Sequence, residues 1–179
     1  MPVQDEEKIP TTEEMDEVHK SEAILPVINA IYDIFSDRIN DLQKDKAEIN
    51  DKISACHDKI AVLSETADRL SATNEMLTRL MNEHKIPKAA SAVIAVNQAK
   101  INRIRETQIP KLENSISRDA MQIEKLDKRI ETVSLKAERM KHLSGVIKSF
   151  TILNPAKRRE QFAFHMDGMR ACSNKLLEN

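Results

Sequence analysis

The sequence predicts an all-α protein: a long antiparallel coiled-coil helical hairpin with short N- and C-terminal helices packing at its base. Three observations carry that expectation. Apolar residues recur at alternating steps of four and three from Ile28 to Met81, and a second such series runs from Ile109 to Ile147. The chain of 179 residues also holds only two glycines, Gly145 and Gly168, with one tyrosine and no tryptophan. Helices need no glycine, and a seam between two of them is filled by aliphatic side chains, so an elongated helical protein tolerates both shortages.

Residues 1–23 read as an acidic tail and short helix, with eight acids against two bases. Thr11 and Glu14 have capping-box spacing, and Pro26 is expected to bend this helix where it joins the hairpin. An acidic start is the opposite of a signal or transit peptide, and no apolar run approaches the roughly 18 residues of a membrane span. The expected location is cytoplasmic, in a reducing compartment, because Cys56 and Cys172 form no disulfide framework.

Residues 24–148 read as the hairpin, with arms at 27–84 and 88–148 and a bend near 85–88. The first arm places Ile28, Tyr32, Phe35, Ile39, Leu42, Lys46, Ile49, Ile53, Cys56, Ile60, Leu63, Ala67, Leu70, Asn74, Leu77 and Met81 along one stripe, of which only Lys46 and Asn74 are strongly polar. A strict seven-residue repeat implies a left-handed supercoil. Lys46 can lay its stem along the seam. Asn74 penalises wrong registers, because an amide among leucines requires a polar partner, expected to be Gln98. The bend lies in "HKIPKAA", with Ile86 at its centre and Pro87 suited to open the returning helix.

In the second arm Ile109, Leu112, Ile116, Asp119, Ile123, Leu126, Ile130, Val133, Ala137, Met140, Ser144 and Ile147 repeat the pattern, whereas Ile94, Ile101 and Ile104 stand in another phase. A kink or stutter near Pro110 follows, since proline lacks an amide hydrogen and crowds the preceding turn. Folding back sets Phe35 opposite Ala137, Leu42 opposite Ile130 and Leu63 opposite Ile109. Asp119 then faces Ile53, an arrangement with no evident compensation. Residues 149–179 read as a linker and a C-terminal amphipathic helix, opened by Asn154 and Pro155 and carrying Phe162, Met166, Met169 and Leu176 on one face.

No catalytic, cofactor-binding or metal-binding residues are expected. Cys56 and His57 are adjacent and therefore point about 100° apart on a helix, with Cys56 on the buried stripe as a structural thiol. His19, His84, His142 and His165 fall in different segments without a ligand partner at the usual sequence spacing. Carboxylates lie among lysines on solvated faces. Two glycines are too few for a phosphate-cradling loop. The chain is not expected to be an enzyme.

The charge is nonetheless segmented. Residues 85–111 carry six bases against Glu106, and residues 136–159 carry seven against Glu138. With the small apolar run "AASAVIAV", these blocks single out Lys85, Ile86, Lys88, Val93 and Ile94 at the tip, and Lys157, Arg158, Arg159, Phe162, Met166 and Met169 in the C-terminal helix, as candidate partner-binding residues. The expected function is a spacer, scaffold or adaptor that associates with itself or another helical protein. The alternatives are a DNA-associated accessory protein using the basic tip and "KRR" helix, although aromatic interleaving for base stacking is missing, and a membrane-active hairpin, for which alanine and valine are poor interfacial anchors.

Overall fold

The structure, a computed structural model, describes residues 12–152 and 154–178, with the backbone alone at 12–19 and 21. The described residues form helices α1 (Thr12–Asn82), α2 (Ala90–Arg103), α3 (Ile109–Ser149) and α4 (Pro155–Glu178), with a π-helical turn (Ile104–Gln108) joining α2 to α3 and no strand among them. None of these helices is long and apolar enough to cross a membrane. Asp45–Leu126 make one compact unit, and the described residues on either side of that stretch make the other.

The heptad stripe is the inner face of α1. Every position of the series from Ile28 to Met81 is buried or half-buried except Tyr32, which is 37% exposed, whereas Ile34 and Val62, off the stripe, are more than 60% exposed. Periodicity thus identified the buried side, and hydrophobicity alone would not have done so. Lys46 and Asp119 are half-buried at their stripe positions. Pro26, where a bend is expected, lies inside α1, which runs from Thr12 without interruption, so residues 12–25 belong to the same helix as the stripe. A proline removes one backbone hydrogen bond at a cost of about 3 kcal/mol, which the long packed stripe downstream offsets. The Thr11 cap falls outside the described residues.

Within Asp45–Leu126, Ala67, Ile101 and Ile104 form a buried cluster with Leu63, Leu70 and Ile109 packed around it. Ala67 is fully buried, so its small side chain lets the helices approach closely. Arg105 and Asp68 form an ion pair at 2.8 Å beside this cluster. The phase change near Pro110 takes a definite form. Ile104 to Ile109 is a step of five where the stripe elsewhere steps by three or four, and the π turn supplies the extra residue, with the Ile109 amide donating to the Ile104 carbonyl. Pro110 follows at once, where the missing amide hydrogen is least costly.

The insertion corrects one pairing. Asn74 is buried, and its Oδ1 accepts from Asn97 Nδ2 at 2.9 Å, while its own Nδ2 donates to the Ile94 carbonyl at 3.4 Å. Gln98 is exposed and donates instead to Asn102 Oδ1. The π turn consumes one residue, so every position between it and the tip is displaced by one, and the amide facing Asn74 becomes Asn97.

The bend spans residues 83–89, slightly wider than the sequence implied. The amide of Lys85 donates to the Leu80 carbonyl and that of His84 to the Met81 carbonyl, a Schellman closure with His84 at φ 54°. A left-handed residue there is ordinarily glycine, which this chain reserves for other positions. The first amides of α2 are satisfied by tight turns, Ala90 to Pro87, Ser91 to Lys88 and Ala92 to Ala89. Pro87 therefore stands just ahead of the returning helix, which opens at Ala90.

In the flanking unit, Ile28, Leu42, Leu135, Ala137 and Val146 are buried, and Ser144 Oγ reaches Asn29 Oδ1 at 3.4 Å. Gly145 lies inside α3, which continues to Ser149. Asn154 caps α4 as expected, its Oδ1 accepting from the amides of Ala156 and Lys157 at 3.0 and 3.2 Å.

Candidate functional site

The positions singled out from sequence do not share one fate. At the tip, Val93 is 51% exposed and Lys88 is exposed, whereas Ile86 and Ile94 are half-buried and Lys85 pairs with Glu83 at 2.7 Å. On α4, Lys157 and Arg159 are exposed, but Arg158 Nε donates to the Ile152 carbonyl at 2.8 Å and secures the linker. Phe162 stacks edge-on against Phe150 at 5.8 Å, and Met166 and Met169 are half-buried along the docked face of α4. The basic helix start is partly structural.

Two features that the sequence reading did not assemble stand out. The first is on the outer face of α1. Ile24, Val27, Ile31 and Ile34 are 49%, 58%, 37% and 65% exposed. They step by three, four and three, so they lie within an arc of about 80° on the helix surface. From Ala23 to Tyr32 the sequence "AILPVINAIY" contains no acid or base. This is a second apolar stripe alongside the buried one, bounded by Lys20 and Arg38.

The second feature joins α3 and α4. Glu138 and His142 are one turn apart on α3, and His165 and Cys172 are two turns apart on α4. A ligand atom from each of Glu138, His142 and Cys172 lies within 4.8 Å of the other two. His142 Nδ1 and His165 Nδ1 are 3.4 Å apart, so one of the pair donates to the other. The scatter of histidines along the sequence therefore does not survive folding, since two of them meet. Phe164 packs edge-on against both rings, at 6.2 and 5.1 Å.

The chain's two glycines explain how the rings fit. A Cβ on Gly145 would overlap the His165 ring, and a Cβ on Gly168 would overlap the His142 ring. Neither glycine has a positive φ, so what they supply is space rather than backbone freedom. Each helix gives up a side chain where the other presents an imidazole.

Electrostatically the group is partly withdrawn from water. Burial pushes the Cys172 thiol above its usual range, and the Glu138 carboxylate, which accepts its hydrogen bond, pushes the same way. Burial lowers His165, and the neighbouring His142 adds to that. His165 also borders an open groove of about 390 Å³ lined by Asn29, Tyr32, Ser144, Lys141 and Lys148. The one sequence signal for this site was the Glu138–His142 spacing of four, hidden among many exposed acids. No family model, curated protein or solved structure matches the chain.

Proposed function

We propose that this chain is a non-enzymatic coiled-coil interaction protein: an antiparallel helical hairpin that associates with a second copy of itself through the outer face of α1. The hairpin reading is supported by contacts in which residue numbers rise along α1 as they fall along the returning helices. Asn29 meets Ser144 in one unit, and Asp68 meets Arg105 and Asn74 meets Asn97 in the other.

The observation that carries the association is the exposed stripe of Ile24, Val27, Ile31 and Ile34. Heptad-spaced β-branched side chains are shaped to enter the holes of another helix. A stripe free of charge meets no like-charge cost against its own copy, and that copy is present at the chain's own concentration. The product is a spacer or scaffold whose spacing is set by helix length and whose assembly is set by a short apolar seam. Its free thiols suit a reducing, cytoplasmic setting.

Light scattering on the chain and on the Val27→Lys, Ile31→Lys double variant tests the reading. The parent is expected as a dimer or higher oligomer and the variant as a monomer of unchanged helicity. A monomeric parent, or a variant with the parent's mass, refutes it.

A further inference from the structure

We propose that Glu138, His142 and Cys172 form a binding site for a divalent metal of the zinc class, with His165 as the hydrogen-bonding neighbour that orients His142. A thiolate, an imidazole and a carboxylate make a mixed sulfur, nitrogen and oxygen donor set that suits borderline-soft, four-coordinate zinc better than the all-oxygen preference of magnesium or calcium.

Three protein donors leave the fourth tetrahedral position to water. With metal–ligand bonds of about 2.0 to 2.3 Å, neighbouring donors in a tetrahedron are separated by roughly 3.3 to 3.8 Å. The three donors, within 4.8 Å of one another, need to draw in by at most roughly 1.0 to 1.5 Å at the widest pair. Glu138 is exposed, so its carboxylate is free to swing, whereas Cys172 is 4% exposed and fixed by the packing of α4. A rigid thiol and a ring-held imidazole with one adjustable carboxylate suit a site that closes around an ion.

The surroundings are built for the rings rather than incidental to them. A metal-binding histidine characteristically uses its second nitrogen in a hydrogen bond that fixes tautomer and orientation, and the 3.4 Å contact with His165 supplies one. Both glycines of the chain sit where an imidazole crosses the facing helix, so neither ring can be held in place unless the glycine opposite it is kept. Glu138 is exposed, so an ion meets the donor set first at its carboxylate. On binding, the Cys172 S–H bond is exchanged for a metal–sulfur bond and the proton passes to solvent. The bound ion would fasten α4 to α3.

The test uses the full chain carrying Cys56→Ser, so that Cys172 is the only thiol, with Co²⁺ and Zn²⁺ as probes. Cobalt is expected to bind one per chain with a thiolate-to-metal charge-transfer band and intense visible bands, and Zn²⁺ is expected to displace it. Cys172→Ser should abolish the thiolate band. His165→Gln, which removes the orienting neighbour, should weaken binding by roughly 10- to 100-fold, and His142→Gln and Glu138→Gln, which each remove a ligand, by more. Helicity and metal-free melting of each variant report whether it folds. In the unsubstituted-site chain, Zn²⁺ should also slow alkylation of Cys172 at least about tenfold, a readout that needs no folded variant. Cobalt spectra without a thiolate band, or alkylation indifferent to Zn²⁺, overturn the proposal.

Discussion

Asn74 shows how much one side chain decides. Burying an amide in a hydrocarbon seam costs free energy unless it is paired, and here Asn97 and the Ile94 carbonyl satisfy it. Asn97→Ala is expected to lower unfolding stability by about 1 to 3 kcal/mol, because the buried Asn74 oxygen loses its donor. Gln98→Ala, at the exposed neighbour, should stay within about 0.5 kcal/mol. Urea unfolding of both variants checks the pair of outcomes, and equal losses would show that neither amide is the partner. The sequence made Asn74 legible as a register-setting residue because polarity at a stripe position is unambiguous. It misnamed the partner by one residue, because the π turn that displaces Asn97 into place depends on how Pro110 and the Ile104–Ile109 step are resolved in three dimensions.

At the scale of elements, the interplay of α3 with α4 is the least legible part of the chain. The sequence marks Asn154 as the start of α4, and its cap is realised; of the expected apolar face, Met166, Met169 and Leu176 are half-buried and Phe162 is exposed. It does not show that His142 and Gly168 are opposed, since the pairing of two helices joined by a linker depends on an interhelical angle that no periodicity records. The same reason hid Cys172 next to Glu138. In α1, Pro26 marks a local preference against helix, yet the helix continues through it.

The glycines yield a prediction with a change of sign. Gly168→Ala gains about 1 kcal/mol of intrinsic helix propensity, but in the parent chain the new methyl meets the His142 ring. Overpacking of that kind costs about 1 to 3 kcal/mol, so Gly168→Ala should destabilise the parent. In a His142→Ala background the ring is gone, and the same substitution should be stabilising. Thermal melts of the four chains test this, and a Gly168→Ala effect of the same sign in both backgrounds would contradict the close approach.

For the whole molecule, composition already excluded much. Two glycines leave little for tight turns, and the heptads specified which faces of the helices would be buried. What composition did not reveal was which apolar residues would remain outside. Ile24, Val27, Ile31 and Ile34 look like core residues until the phase of the buried stripe is known, and only then does the stripe they form become an outward surface.

The central claim is that α1 pairs with the returning helices of its own chain, and a cross-link tests it most directly. Leu63 and Ile109 pack against one buried cluster, so Leu63→Cys and Ile109→Cys in a chain carrying Cys56→Ser and Cys172→Ser should be bridged on oxidation within a single chain. The account predicts a cross-linked species of monomer mass in denaturing conditions, insensitive to protein concentration. Cross-links found only between chains, joining Leu63→Cys to Leu63→Cys, would contradict it and establish a parallel dimer instead.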